Sequence, residues 1–479
     1  MTKQVLHQFT TDIVIGLEVH AQLNTNTKLF CGCATSSESG KEEPNTRTCE
    51  VCLGHPGSKP VLNKRALEFG MRLCLALDCY IAPTILFSRK SYFYPDMAKN
   101  YQITQYEVPL GNSGKLRLSS GKEVGIERVH IEEDPAALVH PAGMQESKYV
   151  LVDYNRSGNP LCEVVTKPEM TSADEARDFM KQLVTILEYL KIFDVNKCTL
   201  RADANVSVKE SGYTRVEIKN ITGFKEIERA ILYEVERQKR DVKEGKKIVM
   251  ETVAWDSDKG VTLRLRSKET EEDYGYIIDP NLVKTEISKD MIMHAKMNMP
   301  ELPQEKAKRY VAEFKIDKDD AVIISNDLNV AVLFEKVAGE INPVAASKWF
   351  RKELLRVLNL NKLDATHLLI DERHIIDLLK LVEEGKISDR VSQRLLERII
   401  LEPAMPSEIV KKENLEKVQD KSQLEKICED VIKTHASVAK EYASGKGEAL
   451  NYLIGKVMRA TQGKADAKEV KYMIRKLVK

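Results

Sequence analysis

From residue 13 to residue 23 every odd position is apolar: Ile13, Ile15, Leu17, Val19, Ala21 and Leu23. The even positions include Glu18, His20 and Gln22. Successive side chains of a strand point to opposite faces, so a period of two predicts a strand packed on a core by one face and polar on the other. Residues 200–208 repeat the pattern. Leu200, Ala202, Ala204, Val206 and Val208 alternate there with Arg201, Asp203, Asn205 and Ser207. A shorter piece alternates Arg128 and His130 with Val129 and Ile131.

Helical signals interrupt these strands. Ser172 and Glu175 form a capping-box pattern. Ala176, Phe179, Met180, Leu183, Ile186, Leu187 and Leu190 then follow at helical spacing. Residues 224–240 predict another helix. Strand and helix do not alternate regularly, so the expected class is α+β with a largely antiparallel sheet and not a doubly wound fold.

The texture changes at Met299-Pro300-Glu301-Leu302-Pro303, where two prolines suit a linker. Beyond it the periodicity is mostly helical, and Pro403 and Pro406 mark a second break. The expected domains are therefore 1–295, 296–405 and 406–479. A length of 479 residues accommodates two to four domains, and 42% hydrophobic residues can fill their cores. The opening residues carry Lys3 and His7 with no long apolar core behind them, and no run has the length of a membrane span. The expectation is a cytoplasmic protein without a membrane partner.

The nine cysteines are odd in number, and five are scattered, which argues against a secreted disulfide framework. The other four are paired. Cys31-Gly32-Cys33 is followed, after fifteen intervening residues, by Cys49-Glu50-Val51-Cys52. Two close thiolate pairs joined by a loop supply four tetrahedral ligands, and Gly32 and Gly54 ease the tight backbone. Buried structural cysteines or two redox pairs are the competing reading. Close spacing in an intracellular chain favours a closed, structural Zn²⁺ site, with His55 as a weak substitute ligand.

Glu18 and His20 lie two apart on one strand and project from the same face. A carboxylate and an imidazole so arranged can share a divalent cation, although any solvated strand carries such residues. Glu132-Glu133-Asp134 closes the third strand, a density of negative charge that calls for a nearby cation. Pro160-Leu161-Cys162-Glu163-Val164-Val165 sets one carboxylate in an apolar stretch, which is costly without a metal or a basic partner. Hard oxygen donors suit Mg²⁺. Arg201, Asp203, Asn205, Lys219 and Asn220 offer groups for phosphate. No GxxxxGK[ST] and no strand-following GxGxxG occurs, so a phosphate site must be built from side chains and a metal.

Several longer segments together resemble the B subunit of aspartyl/glutamyl-tRNA amidotransferase. They are Val14-Ile15-Gly16-Leu17-Glu18-Val19-His20, Arg89-Lys90-Ser91-Tyr92-Phe93-Tyr94-Pro95-Asp96, Arg128-Val129-His130-Ile131-Glu132-Glu133-Asp134 and Asn155-Arg156-Ser157-Gly158-Asn159-Pro160-Leu161. Leu200-Arg201-Ala202-Asp203-Ala204-Asn205, Glu217-Ile218-Lys219-Asn220 and Gly455-Lys456-Val457-Met458 with Gly463 continue the match across nearly the whole chain.

The resemblance implies a cradle domain, a helical domain and a small tail domain. It implies an enzyme subunit that phosphorylates the side-chain carboxylate of Glu-tRNA(Gln) or Asp-tRNA(Asn) with ATP. Ammonia from an amidase A subunit then displaces the phosphate, and a small C subunit completes a heterotrimer. Misacylated tRNA is the implied nucleic-acid partner, and DNA is not. The implied Mg²⁺ ligands are Glu18, His20, Glu133 and Glu163. Strand alternation alone would put Glu132 on the polar face instead; following the family means that the strand ends before this pair. Lys90 and Lys99 are similar to the family's channel lysines, with Glu133 near the channel mouth.

Two segments depart from the family. Gly275 stands where an arginine is expected in a D-Y-R-Y-F-P-[ED]-P stretch, with Ile277-Ile278 in place of Phe-Pro, and Thr252-Val253 also lacks an arginine. These departures support a second reading, a tRNA-docking scaffold with a decayed kinase site. An aminoacyl-tRNA synthetase is disfavoured because no HIGH-like or KMSKS-like motif appears.

Lys and Arg number 74 against 73 Asp and Glu, so charge for RNA must be local. Residues 440–479 hold ten Lys or Arg against four Asp or Glu, a net of +6. The resemblance gives this tail a role in tRNA contact, with Gly455 and Gly463 expected to allow close backbone approach to the sugar-phosphate surface.

Overall fold

A computed structural model describes residues 11–37, 42–143, 147–267, 274–363, 365–417 and 421–478. Met1 to Gln8, Asp273 and the Asn220 side chain lie outside them. The chain divides into two compact units, Met1–Leu302 and Pro303–Lys479, which meet inside the first proline break.

The first unit is built on a nine-stranded sheet. Its strands are β1 (Ile13–Gln22), β2 (Tyr80–Ile81), β6 (Gly111–Arg117), β7 (Glu123–Glu133), β10 (Pro160–Thr166), β11 (Leu200–Val208), β12 (Val216–Ile221), β13 (Glu251–Asp256) and β14 (Val261–Ser267). The order is β14-β13-β12-β11-β1-β10-β7-β6-β2, antiparallel throughout except for β12 beside β13. Smaller sheets flank it. In one, β4 (Ser88–Ser91) lies between β15 (Gly275–Ile278) and β5 (Tyr101–Thr104). Two-stranded pairs join β3 (Thr84–Ile85) to β16 (Thr285–Glu286) and β8 (Ala137–Val139) to β9 (Leu151–Asp153).

The alternation read in the sequence is realised in β1. Ile15, Leu17, Val19 and Ala21 are buried, while Glu18 and His20 turn to the other, polar face. Helices α1 (Lys64–Ala76), α2 (Ala173–Tyr189) and α3 (Phe224–Lys243) share the apolar core with the odd residues of β1. Each fully buried aliphatic side chain there contributes roughly 1.5–3 kcal/mol. Gly70 brings α1 close to the sheet: a Cβ would lie 2.7 Å from Leu110 and 2.9 Å from Ile131. The α2 cap is half the expected box. Ser172 accepts from the Glu175 amide at 3.2 Å, but the Glu175 carboxylate accepts from the amide of Thr171 at 2.7 Å and from Lys122.

The second unit is helical, and among the described residues no strand occurs beyond Glu286. It holds two hydrophobic cores. One runs in sequence from Ala307 to Val410, and the other from Leu424 to Ile474. The helix Pro406–Lys412 buries Ile409 and Val410 in the first of these, so packing assigns it to the segment before the second proline break.

Candidate active site: a polar sheet face and a cysteine cluster

Strand register builds one row of polar side chains from four distant segments. Arg201 on β11 is the partner of His20 on β1. His20 is the partner of Glu163 on β10, and Glu163 is the partner of His130 on β7. Glu132 stands two residues along from His130 on the same face. His20 Nε2 lies 3.3 Å from Glu163 and 3.5 Å from Glu132; His130 Nε2 lies 3.0 Å from Glu163 and 3.6 Å from Glu132. Glu163 is 7% exposed and Glu132 5%, so these charges have little water to screen them.

The electrostatics follow from that burial. Burial alone would lower both imidazoles, but Glu163 foremost, with Glu132, outweighs it and pushes His20 and His130 up to about 9. Burial alone would raise the Glu163 carboxyl; His130 and His20 outweigh it and hold it well below the carboxylate range. Glu18 moves the other way. Burial first, then the charges of Glu163 and Glu217, raise its carboxyl.

His20, Glu132 and Glu163 each offer one ligand atom within 4.8 Å of the others. Two hard carboxylates with an imidazole are a donor set that fits a divalent cation, and His130 Nδ1 and Asn205 Oδ1 are buried close by with no hydrogen-bond partner among the described residues. This grouping corrects one expectation. Strand β7 runs through Glu133 and does not end before it, so alternation persists and Glu132 takes the histidine face. Glu133 is held instead by Lys99, at 2.6 Å from one carboxylate oxygen, and by the Ile103 amide at 2.8 Å. Glu18 is not within the group of three, but it shares their face and accepts from Asn205 at 3.0 Å.

The remaining predicted residues surround this row. Lys219 donates to Asp203 at 2.8 Å and lies 3.1 Å from Glu217. Burial opposes its charge, but Asp203 and Glu217 outweigh that and raise its ammonium. Arg201 pairs with Asp134 at 2.5 Å, and Arg156 Nε lies 3.6 Å from the other oxygen of the same carboxylate. The Lys90 ammonium lies 4.6 Å from the Tyr274 ring centre and 6.0 Å from that of Tyr92.

His130, Asp134 and Arg156 belong to the segments that carry the resemblance, but no role was expected of them. His130 was within reach of sequence reasoning, because the alternation of β7 sets it on the face of Glu132. Of the two departures, Thr252 donates its hydroxyl to Glu217 at 3.0 Å. Gly275 pairs with Ser91, and a Cβ there would meet only the Ser91 Cβ at 3.8 Å, an ordinary contact.

The four cysteines converge, with one sulfur of each within 4.8 Å of the others. Cys49 and Cys52 Sγ are 4.0 Å apart, and the Cys49 amide donates to Cys52 Sγ at 3.1 Å. The Cys31 thiol foremost, with the Cys49 amide and Lys28, outweighs burial and lowers the Cys52 thiol. Four sulfurs this close together fit a tetrahedral metal. Gly54 adopts φ +68° beside the second pair, as a tight turn requires, whereas Gly32 does not take a left-handed conformation. His55 is not in the cluster.

In the tail, Gly455 lies inside the helix Glu448–Ala460. Gly463 faces inward: its carbonyl accepts from Ser388 at 2.5 Å, and a Cβ there would meet Arg390. The expectation that Gly463 is open to RNA is thus corrected; it docks the tail on the neighbouring helices.

Residues 13–293 match the GatB/GatE catalytic domain, and residues 332–478 match the GatB domain. The chain is 39% identical to the aspartyl/glutamyl-tRNA(Asn/Gln) amidotransferase B subunit of Persephonella marina, covering 97% of this chain and 99% of that one. It is 42% identical to the protein of that name in Sulfurisphaera tokodaii, with coverage of 97% and 99%. It is 38% identical to that of Brevibacillus brevis, with coverage of 98% of each.

Proposed function

The chain belongs to the family of aspartyl/glutamyl-tRNA(Asn/Gln) amidotransferase B subunits, and from that premise we propose that its polar sheet face is the ATP site that activates a misacylated tRNA. It is one component of a multi-subunit ligase of protein biosynthesis. The substrates we assign are Glu-tRNA(Gln) and Asp-tRNA(Asn). The partners are the amidase A subunit and a small C subunit, and the compartment is the cytoplasm. Among the described residues no helix is long and apolar enough to cross a membrane.

The chemistry starts from a poor electrophile. A side-chain carboxylate repels nucleophiles, and oxide is a bad leaving group. Its oxygen attacks the γ-phosphorus of ATP, the bond to the bridging oxygen breaks, and ADP leaves. Ammonia then attacks the acyl carbon, and phosphate departs. His20, Glu132 and Glu163, with Glu18 beside them, would hold Mg²⁺, which would neutralise charge on the phosphoryl group in transit. The single observation that carries this reading is the buried row His20–Glu163–His130 with Glu132, a density of carboxylate on one face of a sheet.

Around it, Arg201, Arg156 and Lys219 orient the polyphosphate, with Asn205 as a further contact. Asp134 holds both Arg201 and Arg156, so one positive charge of that group is left over, while Asp203 and Glu217 hold Lys219 in place. Lys99 with Glu133, and Lys90 beside Tyr92 and Tyr274, line the approach of ammonia. Cys31, Cys33, Cys49 and Cys52 hold a structural Zn²⁺.

The decisive experiment uses the assembled complex without glutamine. ADP should form only when both Mg²⁺ and a misacylated tRNA are present, with Glu-tRNA(Gln) and Asp-tRNA(Asn) tested separately. Absence of ADP formation with either misacylated tRNA would make the chain the docking scaffold of the alternative reading.

A further inference from the structure

Lys28 is buried with none of its surface exposed. Its Nζ donates to the Arg47 carbonyl at 2.7 Å, to the Tyr154 carbonyl at 3.3 Å and to Cys52 Sγ at 3.7 Å. None of these acceptors is a carboxylate. An ammonium withdrawn from water is costly unless an anion answers it, and the sulfur is the one acceptor of the three that can carry a full charge. Four thiolates around one divalent cation are doubly negative; Cys52, the one that faces Lys28, is buried, and the other three are half-buried. Each group supplies what the other lacks.

The same side chain joins two loops. Arg47 precedes the second cysteine pair, and Tyr154 opens the turn 154–159. The Arg47 amide donates to Asn155 Oδ1 at 2.7 Å, Ser157 donates to the Cys52 carbonyl at 3.1 Å, and the Leu29 amide donates to the Gly158 carbonyl at 2.8 Å. Gly158 has φ +85°, and a Cβ there would lie 3.4 Å from Cys52 Cβ and 3.5 Å from Lys28 Cδ. The turn therefore rests directly on the lysine and the cysteine. Its far side grips the end of β7. Gly158 donates to the Asp134 carbonyl, and Asp134 to the Asn159 carbonyl, each at 2.8 Å. Arg156 donates to the Pro135 and Ala136 carbonyls at 3.0 and 2.6 Å, and Asp134 carries Arg201.

We propose that Lys28 is the buried counter-charge of the cysteine site and a positioning residue for the polar face, coupling metal at Cys52 to the turn that sets Asp134, Arg156 and Arg201. The proposal rests on the zinc and ATP readings above. Through this chain of contacts, metal on the cysteines stiffens the phosphate-binding side of the sheet although it touches no substrate.

The test uses the full chain in the assembled complex, with Zn²⁺ as probe and chelator competition as the measure of affinity. Lys28→Met should weaken zinc on the order of 10- to 100-fold, as loss of an outer partner does. Lys28→Arg, which keeps the charge, should hold zinc more tightly than Lys28→Met. In Lys28→Met, exchange of the Gly158 and Asp134 amides should quicken, and KM for ATP should rise with kcat little changed. Equal zinc affinity in Lys28→Met and the unaltered chain, or equal loss in both variants, overturns the counter-charge. Should the variants not fold, zinc can be stripped from the unaltered complex with a mercurial. Protection at Gly158 and Asp134 should then fall while that of β1 stays, and unchanged protection overturns the coupling. A chain that never holds zinc fails at the cysteine reading itself, which is distinguishable from a zinc-bound chain indifferent to Lys28.

Discussion

His130 Nε2 lies 3.0 Å from a carboxylate oxygen of Glu163, its register partner across β7 and β10, and the same carboxylate lies 3.3 Å from His20 on the strand beyond. One buried glutamate thus stands between two imidazoles. Glu163→Gln should abolish Mg²⁺-dependent formation of ADP without releasing the A subunit from the complex, because a neutral amide removes the central charge of the row. Single-turnover assays and pull-down of the complex read the two halves separately. Near-normal transamidation would remove Glu163 from the chemistry.

Glu132 and Glu133 are adjacent in sequence but held by different partners, which separates their roles. Glu132→Gln should weaken Mg²⁺ binding by about tenfold or more, since a charged ligand is lost. Glu133→Gln should leave Mg²⁺ affinity within about twofold, because its carboxylate serves Lys99 and the Ile103 amide. It should instead slow use of glutamine-derived ammonia. Titration calorimetry with Mg²⁺ and a nucleotide on both variants distinguishes them, and the reverse ranking would restore Glu133 as the ligand.

One zinc per chain is expected at Cys31, Cys33, Cys49 and Cys52. Elemental analysis of protein purified without chelator measures it, and replacing Cys49 with Ser should lower the stoichiometry below half. Absence of stoichiometric zinc from the unaltered protein defeats the assignment.

The acid stability of the second unit should depend on Glu335. Its carboxylate accepts from Lys306 at 2.7 Å, from Tyr310 at 3.1 Å and from Arg309. Burial alone would raise it, but Lys306 and Arg309 outweigh burial and lower its pKa. A depressed carboxyl stabilises the fold above its unfolded value, near 4.5, and loses that contribution as pH falls through the folded value. Glu335→Gln should therefore cost on the order of 1 kcal/mol at pH 7 and show a flatter stability profile below about pH 4.5. Trp349 fluorescence in a Trp255→Phe background follows this unit, since the chain has two tryptophans. Parallel profiles for both proteins would deny Glu335 the role.

Removing residues 418–479 should leave the first unit and the core around Ile409 and Val410 intact, because the tail has its own core beginning at Leu424. Affinity of the complex for misacylated tRNA should fall, and its dependence on salt should become shallower as fewer counterions are released. Titrations at several salt concentrations measure both, and equal slopes would make the tail charge an ordinary solvated face.

Local patterns in the chain were enough to specify local structure. The period of two in residues 13–23 determined that Glu18 and His20 share a face. The spacing of Cys31, Cys33, Cys49 and Cys52 determined that four sulfurs could meet, since short turns leave little freedom. Alternation in β7 already set Glu132 beside His130, and the structure sides with that period. What the sequence by itself left open is which strands lie next to one another. The row Arg201–His20–Glu163–His130 draws on four segments far apart in the chain, and their order in the sheet depends on helices packing beneath it. The burial of Lys28 was equally illegible, because lysine is ordinarily a surface residue and its partners arrive from Arg47 and Tyr154. Periodicity is a property of neighbours along the chain. Register, burial and counter-charge arise between distant segments, and only the tertiary structure decides them.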